Sequence, residues 1–120
     1  MRFNGKKVSE MSYEDQNNML IENGSLIRCI RNPTYYQECI ALESNPFSIK
    51  YIENPSEVLQ MIAIHNDYHS IRAIMDPCKM AQIEAAFKYT NDEIDLLKMD
   101  INNPCDEVLK LIETIEEAKQ

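Results

Sequence analysis

Ile49-Lys50-Tyr51-Ile52-Glu53-Asn54-Pro55-Ser56-Glu57-Val58-Leu59 decides the fold of this chain, because both of its halves recur. Asn32-Pro33-Thr34, Asn54-Pro55-Ser56 and Asp76-Pro77-Cys78 place prolines at 33, 55 and 77, a constant spacing of 22 residues. The half before each proline recurs with it, as Ile27-Arg28 and Ile30, Ile49-Lys50 and Ile52, and Ile71-Arg72 and Ile74. Further columns keep the same step: Asn23, Asn45 and Asp67; Ala41, Ala63 and Ala85; Leu20, Leu42, Ile64 and Ala86. Self-similarity at a fixed period of this size is the mark of stacked units that cannot bury their apolar faces alone.

Each unit reads as two short helices. Asn or Asp before Pro is a helix start, with the side-chain oxygen capping and proline in the first turn. The longer helices are expected over Thr34 to Ser44, Ser56 to Asn66 and Cys78 to Tyr89. Val58, Leu59, Met61, Ile62 and Ile64 form a wide apolar stripe, which suits a helix buried between neighbours. Asn23, Asn45 and Asp67 fall where that helix must stop and are expected in the left-handed conformation. The second helix is short, with Ile49/Ile52 and Ile71/Ile74 at i,i+3 on one face. A helix that short is marginal alone and needs the next unit to hold it. The alanine column predicts close helix approach.

The ends depart from the repeat. Phe3-Asn4-Gly5-Lys6 carries a two-residue hairpin signal, and Ser12 with Asp15 starts the first full helix. After Tyr89 the register slips, and the next Asn-Pro pair comes late, at Asn103-Pro104. Glu107-Val108-Leu109 still echoes Glu57-Val58-Leu59, and Glu113, Glu116, Glu117 and Lys119 give the last helix the polar outer side of a terminal cap. The expectation is therefore all-α: a short α-solenoid of 22-residue two-helix repeats, with a small N-terminal extended or hairpin segment and a C-terminal capping helix. It is read as a single domain over 1–120, with the N-terminal segment at 1–11, the tandem repeats at 12–89 and divergent helices at 90–120.

Composition narrows the function classes. The net charge is −8, from 20 acidic and 12 basic side chains, which argues against a general nucleic-acid binder. No transmembrane run or signal peptide is seen, so a cytoplasmic protein with no membrane partner is expected. Cys29, Cys39, Cys78 and Cys105 form no Cys-x-x-Cys pair, so they read as reduced thiols and not as a zinc site. His65 and His69 straddle a predicted turn, which breaks i,i+4 ligand geometry. No metal, cofactor or catalytic residue is expected, and the chain is read as non-enzymatic.

Two sets of residues stand out as partner-binding candidates. Arg28, Lys50 and Arg72 put one cation per unit at the same site, a ladder up the stack. A plainer account exists for them: a cation late in a short helix complements its dipole. Tyr35, Tyr51 and Tyr68 are the second set, since Tyr offers contact area with few rotatable bonds.

The units Asn54-Pro55-Ser56-Glu57-Val58-Leu59-Gln60-Met61-Ile62-Ala63-Ile64-His65-Asn66-Asp67 and Ser48-Ile49-Lys50-Tyr51-Ile52-Glu53 resemble short tandem two-helix repeats of unknown function found in phage, giant-virus and bacterial proteins. The resemblance spans about residues 17–87. It implies a phage or mobile-element origin. The reading it leads to is a protein-binding module, a phage-encoded accessory protein that binds and inhibits or redirects a host protein in the host cytoplasm. The alternative is a nucleotide or nucleic-acid binder that uses the basic ladder. A homo-oligomer stays open.

Overall fold

The structure, a computed structural model, describes residues 2–119. It is mostly helical. Arg2–Phe3 (β1) and Lys6–Lys7 (β2) form a minimal antiparallel hairpin. Asn4 and Gly5 both have positive φ, +50° and +83°, as a two-residue turn of this hand requires. Six α-helices follow: Tyr13–Glu22 (α1), Tyr35–Ser44 (α2), Glu57–Asn66 (α3), Lys79–Lys88 (α4), Ile94–Asp100 (α5) and Asp106–Ala118 (α6). Helices α1 to α4 begin at 13, 35, 57 and 79, in step with the 22-residue period. Between them lie 3₁₀ segments at Gly24–Cys29, Pro46–Tyr51 and Tyr68–Ala73, in the same step. The short second helices of the sequence reading are thus 3₁₀ turns. Their Ile-x-x-Ile spacing is the period at which 3₁₀ side chains eclipse, and the N–H groups of Ile30, Ile52 and Ile74 close each turn on Ile27, Ile49 and Ile71.

Two expected roles of asparagine are exchanged. The helix caps are the residues after proline: Thr34 and Ser56 accept from Gln37 and Leu59 N–H groups, and Thr34 forms a full capping box with Gln37. The left-handed residues are Asn54 (φ +49°) and Asn103 (φ +52°), directly before proline. Asn tolerates the left-handed region, but the following proline does not impose it, since Asn45 before Pro46 is extended. Asn23, Asn45 and Asp67 are instead extended, with φ between −149° and −158°. Each ends an α-helix through its N–H and starts the 3₁₀ turn, its Oδ1 accepting from the N–H two residues on.

The α-helices form one row, α1 on α2, α2 on α3, α3 on α4 and α4 on α6. The 3₁₀ segments form a second row, which α5 extends by packing on Tyr68–Ala73. The body measures 58 × 22 × 18 Å. Met19, Leu20, Leu42, Ile49, Ile64, Ile71 and Leu97 are fully buried in one continuous cluster. Burying each such side chain contributes about 1.5–3 kcal/mol. Ala41, Ala63 and Ala85 are completely buried. Gly24 shows how closely the rows approach: a Cβ there would lie 2.1 Å from the Ala41 carbonyl oxygen.

The apolar stripe of α3 corrects the sequence reading in one respect. Leu59, Ala63 and Ile64 are buried, but Val58 is 57% exposed and Met61 and Ile62 are only half-buried. The stripe is wider than the neighbouring helices can cover, and its surplus faces outward.

Candidate functional site

The surplus apolar surface lies on the outer side of the α-helix row. Tyr36, Val58 and Met80 hold the second position of α2, α3 and α4, and are 63%, 57% and 53% exposed. Each stands two residues after its cap, in the exposed first turn of its helix. An open groove of about 910 Å³ runs over α3, floored by Val58, Met61, Ile62 and Met80. Glu43 from α2, Glu57 from α3 and Glu84 from α4 stand around it. No lysine or arginine lines it; His65 and Asn66 complete its wall. Glu84 meets Lys88 at 3.7 Å, while Glu43 and Glu57 have no ion-pair partner among the described residues. A second, smaller groove between α4 and α6 continues the apolar strip through Ile83, Phe87 and Leu111.

The other row carries the predicted cations. Arg28, Lys50 and Arg72 are all exposed, and they gather around one 3₁₀ segment, Pro46–Tyr51. The Arg28 guanidinium lies 5.4 Å from the Tyr51 ring centre, and the Lys50 ammonium 5.1 Å from the same ring. The Arg72 guanidinium lies 4.8 Å from the Phe47 ring centre. These are distances at which a cation is drawn to a ring face. Arg28 also donates to the Ser25 carbonyl at 2.9 Å, within its own turn. Among the described residues none of the three pairs with a carboxylate. Of the predicted tyrosines, Tyr51 belongs to this ridge. Tyr35 opens α2, half exposed, in the opposite row.

Tyr68 belongs to a third cluster, near the end of the 3₁₀ row. Its ring lies 4.2 Å from that of His69 and 5.0 Å from that of Tyr89. Its hydroxyl donates to Glu93 at 3.2 Å. The His69 ring nitrogens face Asp67 at 3.2 Å and Glu93 at 3.3 Å. Glu93 also accepts the Thr90 N–H, and this bond, with those from His69 and Tyr68, holds its carboxyl below the usual range. Tyr89 donates to buried Asp100 at 2.5 Å, and burial first, then this bond, pushes its hydroxyl far up. The cluster ties α4, α5 and the Tyr68–Ala73 turn together, and its polar groups are used in doing so. Burial, reinforced by Glu43 and Glu38, raises the Cys39 thiol, the reverse of nucleophile activation. Among the described residues no group of three metal-ligating side chains is brought together, and no helix is long and apolar enough to cross a membrane.

Sequence reasoning named the cations but missed their aromatic partner Phe47, and it missed the outer groove. A partial signal for the groove was present: 36, 58 and 80 form an apolar column at Tyr36, Val58 and Met80, with Glu14 at the same place in the first helix. No family model, curated protein or solved structure matches the chain.

Proposed function

We propose that the chain is a short α-solenoid that works as a protein-binding module, not an enzyme. The observation that carries this reading is the apolar groove over α3. Val58 and Met80, more than half exposed, and the half-buried Met61 and Ile62 line one open groove together with Glu43, Glu57, Glu84, His65 and Asn66. An exposed contiguous apolar patch with a polar rim is the usual form of a protein contact surface. The solenoid reading rests on the 22-residue step of helices α1 to α4 and on the order in which each packs on the next.

The test is capture from a cell lysate by the purified chain and by the double variant Val58→Ser/Met80→Ser. Both side chains are more than half exposed, so the melting temperature should be nearly unchanged. Capture should fall to background. The same proteins retained by the double variant would refute the groove as the contact surface.

A second reading is favoured by the ridge of Arg28, Lys50 and Arg72. Three exposed cations without carboxylate partners among the described residues, beside Phe47 and Tyr51, suit an anionic partner. The triple variant Arg28→Glu/Lys50→Glu/Arg72→Glu separates the two. Loss of capture by it, with capture intact in the groove variant, would move the contact surface to the ridge.

A further inference from the structure

We infer that the groove over α3 receives a cationic amphipathic helix of a partner protein. The inference rests on the binding-module reading and names the occupant. Three observations point to it.

The first is charge. Glu43, Glu57 and Glu84 surround the floor, and no lysine or arginine offsets them within the lining. Glu43 and Glu57 are free of ion pairs among the described residues. The chain as a whole carries −8. An apolar segment flanked by lysine or arginine would meet its anchors and its counter-charges together, and the surrounding field would speed its arrival. An acidic segment would meet like charge on every side.

The second is the shape of the floor. Val58, Met61, Ile62 and His65 follow i, i+3, i+4, i+7 along α3. This is a ridge of the kind that helices pack into one another. The adjacent positions on α2 and α4 hold the same pattern outward, at Tyr36, Cys39 and Glu43, and at Met80, Ile83 and Phe87.

The third is backbone chemistry. The groove lies over α-helices, whose backbone groups largely bond one another, and its polar lining residues are three glutamates, His65 and Asn66. An extended peptide laid on the apolar floor would hold its N–H and C=O groups away from partners, at a cost. A helix satisfies its own backbone and presents only side chains. Recognition of an amphipathic helix in a groove reads the same i, i+3, i+4, i+7 anchors. Met61 and Met80 lend the floor the adaptability that such grooves use.

The test uses two synthetic helical peptides of about four turns with the same leucine stripe. One carries lysine and the other glutamate at its remaining positions. Binding to the full chain is read by fluorescence anisotropy at low and at physiological salt. The lysine peptide should bind saturably and the glutamate peptide at least about tenfold more weakly. Glu43→Gln/Glu57→Gln/Glu84→Gln should weaken the lysine peptide by about tenfold and flatten its salt dependence. Val58→Ser/Met80→Ser should weaken it further at all salt concentrations. Equal binding of the two peptides, or no effect of the glutamine triple variant, overturns the cationic assignment. No saturable binding by either peptide overturns the helical occupant. Lysine-peptide binding that survives Val58→Ser/Met80→Ser puts the contact elsewhere and overturns the site. In each case the binding-module reading is decided separately, by whether Val58→Ser/Met80→Ser loses its lysate capture.

Discussion

Replacing Gln82 by Met tests whether the units are held together by side-chain amides as well as by apolar packing. Gln82 is 3% exposed. Its Oε1 accepts the Cys105 N–H at 2.7 Å, and its Nε2 donates to the Pro77 carbonyl at 3.0 Å and the Asn103 carbonyl at 3.3 Å. Gln60, one unit back, does the same: Oε1 accepts the Cys78 N–H at 2.7 Å and Nε2 donates to the Pro55 carbonyl at 3.0 Å. Each amide thus joins the proline of its own unit to the helix cap of the next. Cys78 and Cys105 make no side-chain cap bond, so this backbone bond is what fixes those two helix starts. Met keeps the length and shape of Gln and removes both functions. It leaves the Cys105 N–H and the Pro77 C=O without partners, at about 1–3 kcal/mol each. The expected loss is about 2–6 kcal/mol, a large share of a typical folding free energy. At about 4 °C per kcal/mol for a chain of this size, the melting temperature should fall by roughly 8–24 °C. The converse substitution exists in the same column. Glu38 stands 22 residues before Gln60, and a carboxylate has no hydrogen to donate as the Gln60 and Gln82 amides do. Burial raises its carboxyl above the ordinary value, so its charged form is disfavoured in the folded state. Glu38→Gln removes that cost and should be at least as stable as the wild type at neutral pH. With a raised folded pKa, the native wild type binds more protons than the unfolded chain, so its stability declines as pH rises from the ordinary carboxyl value through the raised one. The advantage of Glu38→Gln should grow across that window. Urea and thermal unfolding followed by circular dichroism, at several pH values from about 4 to 8, measure both effects. A loss below about 1 kcal/mol in Gln82→Met, or a destabilised Glu38→Gln, would refute the amide linkage as a stabilising element.

Three further outcomes are expected. Gly24→Ala must displace the Ala41 carbonyl, 2.1 Å from the new methyl group, and should lower stability by about 1–3 kcal/mol; an unchanged urea midpoint would mean the two rows are not packed as closely as described. Ala63→Arg puts a long cation into a fully buried site and should prevent folding or nearly so, whereas Glu57→Arg, in the exposed first turn of α3, should cost under about 1 kcal/mol; equal losses in thermal melts would break the assigned register. Glu93 is held below the usual carboxyl range, so its contribution is present above the unfolded value and is lost as pH falls through the folded one. Glu93→Gln should accordingly show a shallower fall in stability on the acid side than the wild type, and parallel acid limbs would show that the Thr90, His69 and Tyr68 bonds do not favour the charged form.

The period was legible because it is written in residues with strong local preferences. Proline, the Ile-x-x-Ile pairs and the alanine column each restrict the backbone or the packing, and the helices begin in the expected step. The short helices were misjudged in kind. Two isoleucines at i,i+3 fit an α-turn and a 3₁₀ turn equally, and the choice was made by the Asn45-type side chain, whose bond to the N–H two residues on tightens the first turn. The asparagines were misplaced because one residue type serves three roles here: cap, extended helix stop and left-handed turn. The local sequence does not separate them: Asn45 before Pro46 is extended, whereas Asn54 before Pro55 and Asn103 before Pro104 are left-handed. The groove was hidden for another reason. Val58, Met61 and Ile62 belong to a stripe that reads as core, and burial is decided by how much of a helix its two neighbours can cover. A 10-residue helix in a row leaves one side open, and no pattern within that helix records it.

A repeat also permits a comparison inside one chain. Columns that the packing fixes vary little: Ala41, Ala63 and Ala85, or Ile27, Ile49 and Ile71, all buried. Exposed columns are released from that constraint, and most vary freely, as at Ile21, Glu43, His65 and Phe87. Some exposed columns keep their character over three units all the same: polar at Asn32, Asn54 and Asp76, cationic at Arg28, Lys50 and Arg72, and apolar at Tyr36, Val58 and Met80, although the first helix has Glu14 at that place. For the cations the structure supplies an internal reason, since Arg28 and Lys50 share the Tyr51 ring and Arg72 covers Phe47. For the apolar column it supplies none: these side chains begin their helices in solvent, at the position where a polar residue would serve the helix better. Repeated exposure of apolar surface without an internal partner is costly to solubility and gains nothing in the fold. This is why we propose the groove over α3, ahead of the ridge, as the surface on which to seek a partner first.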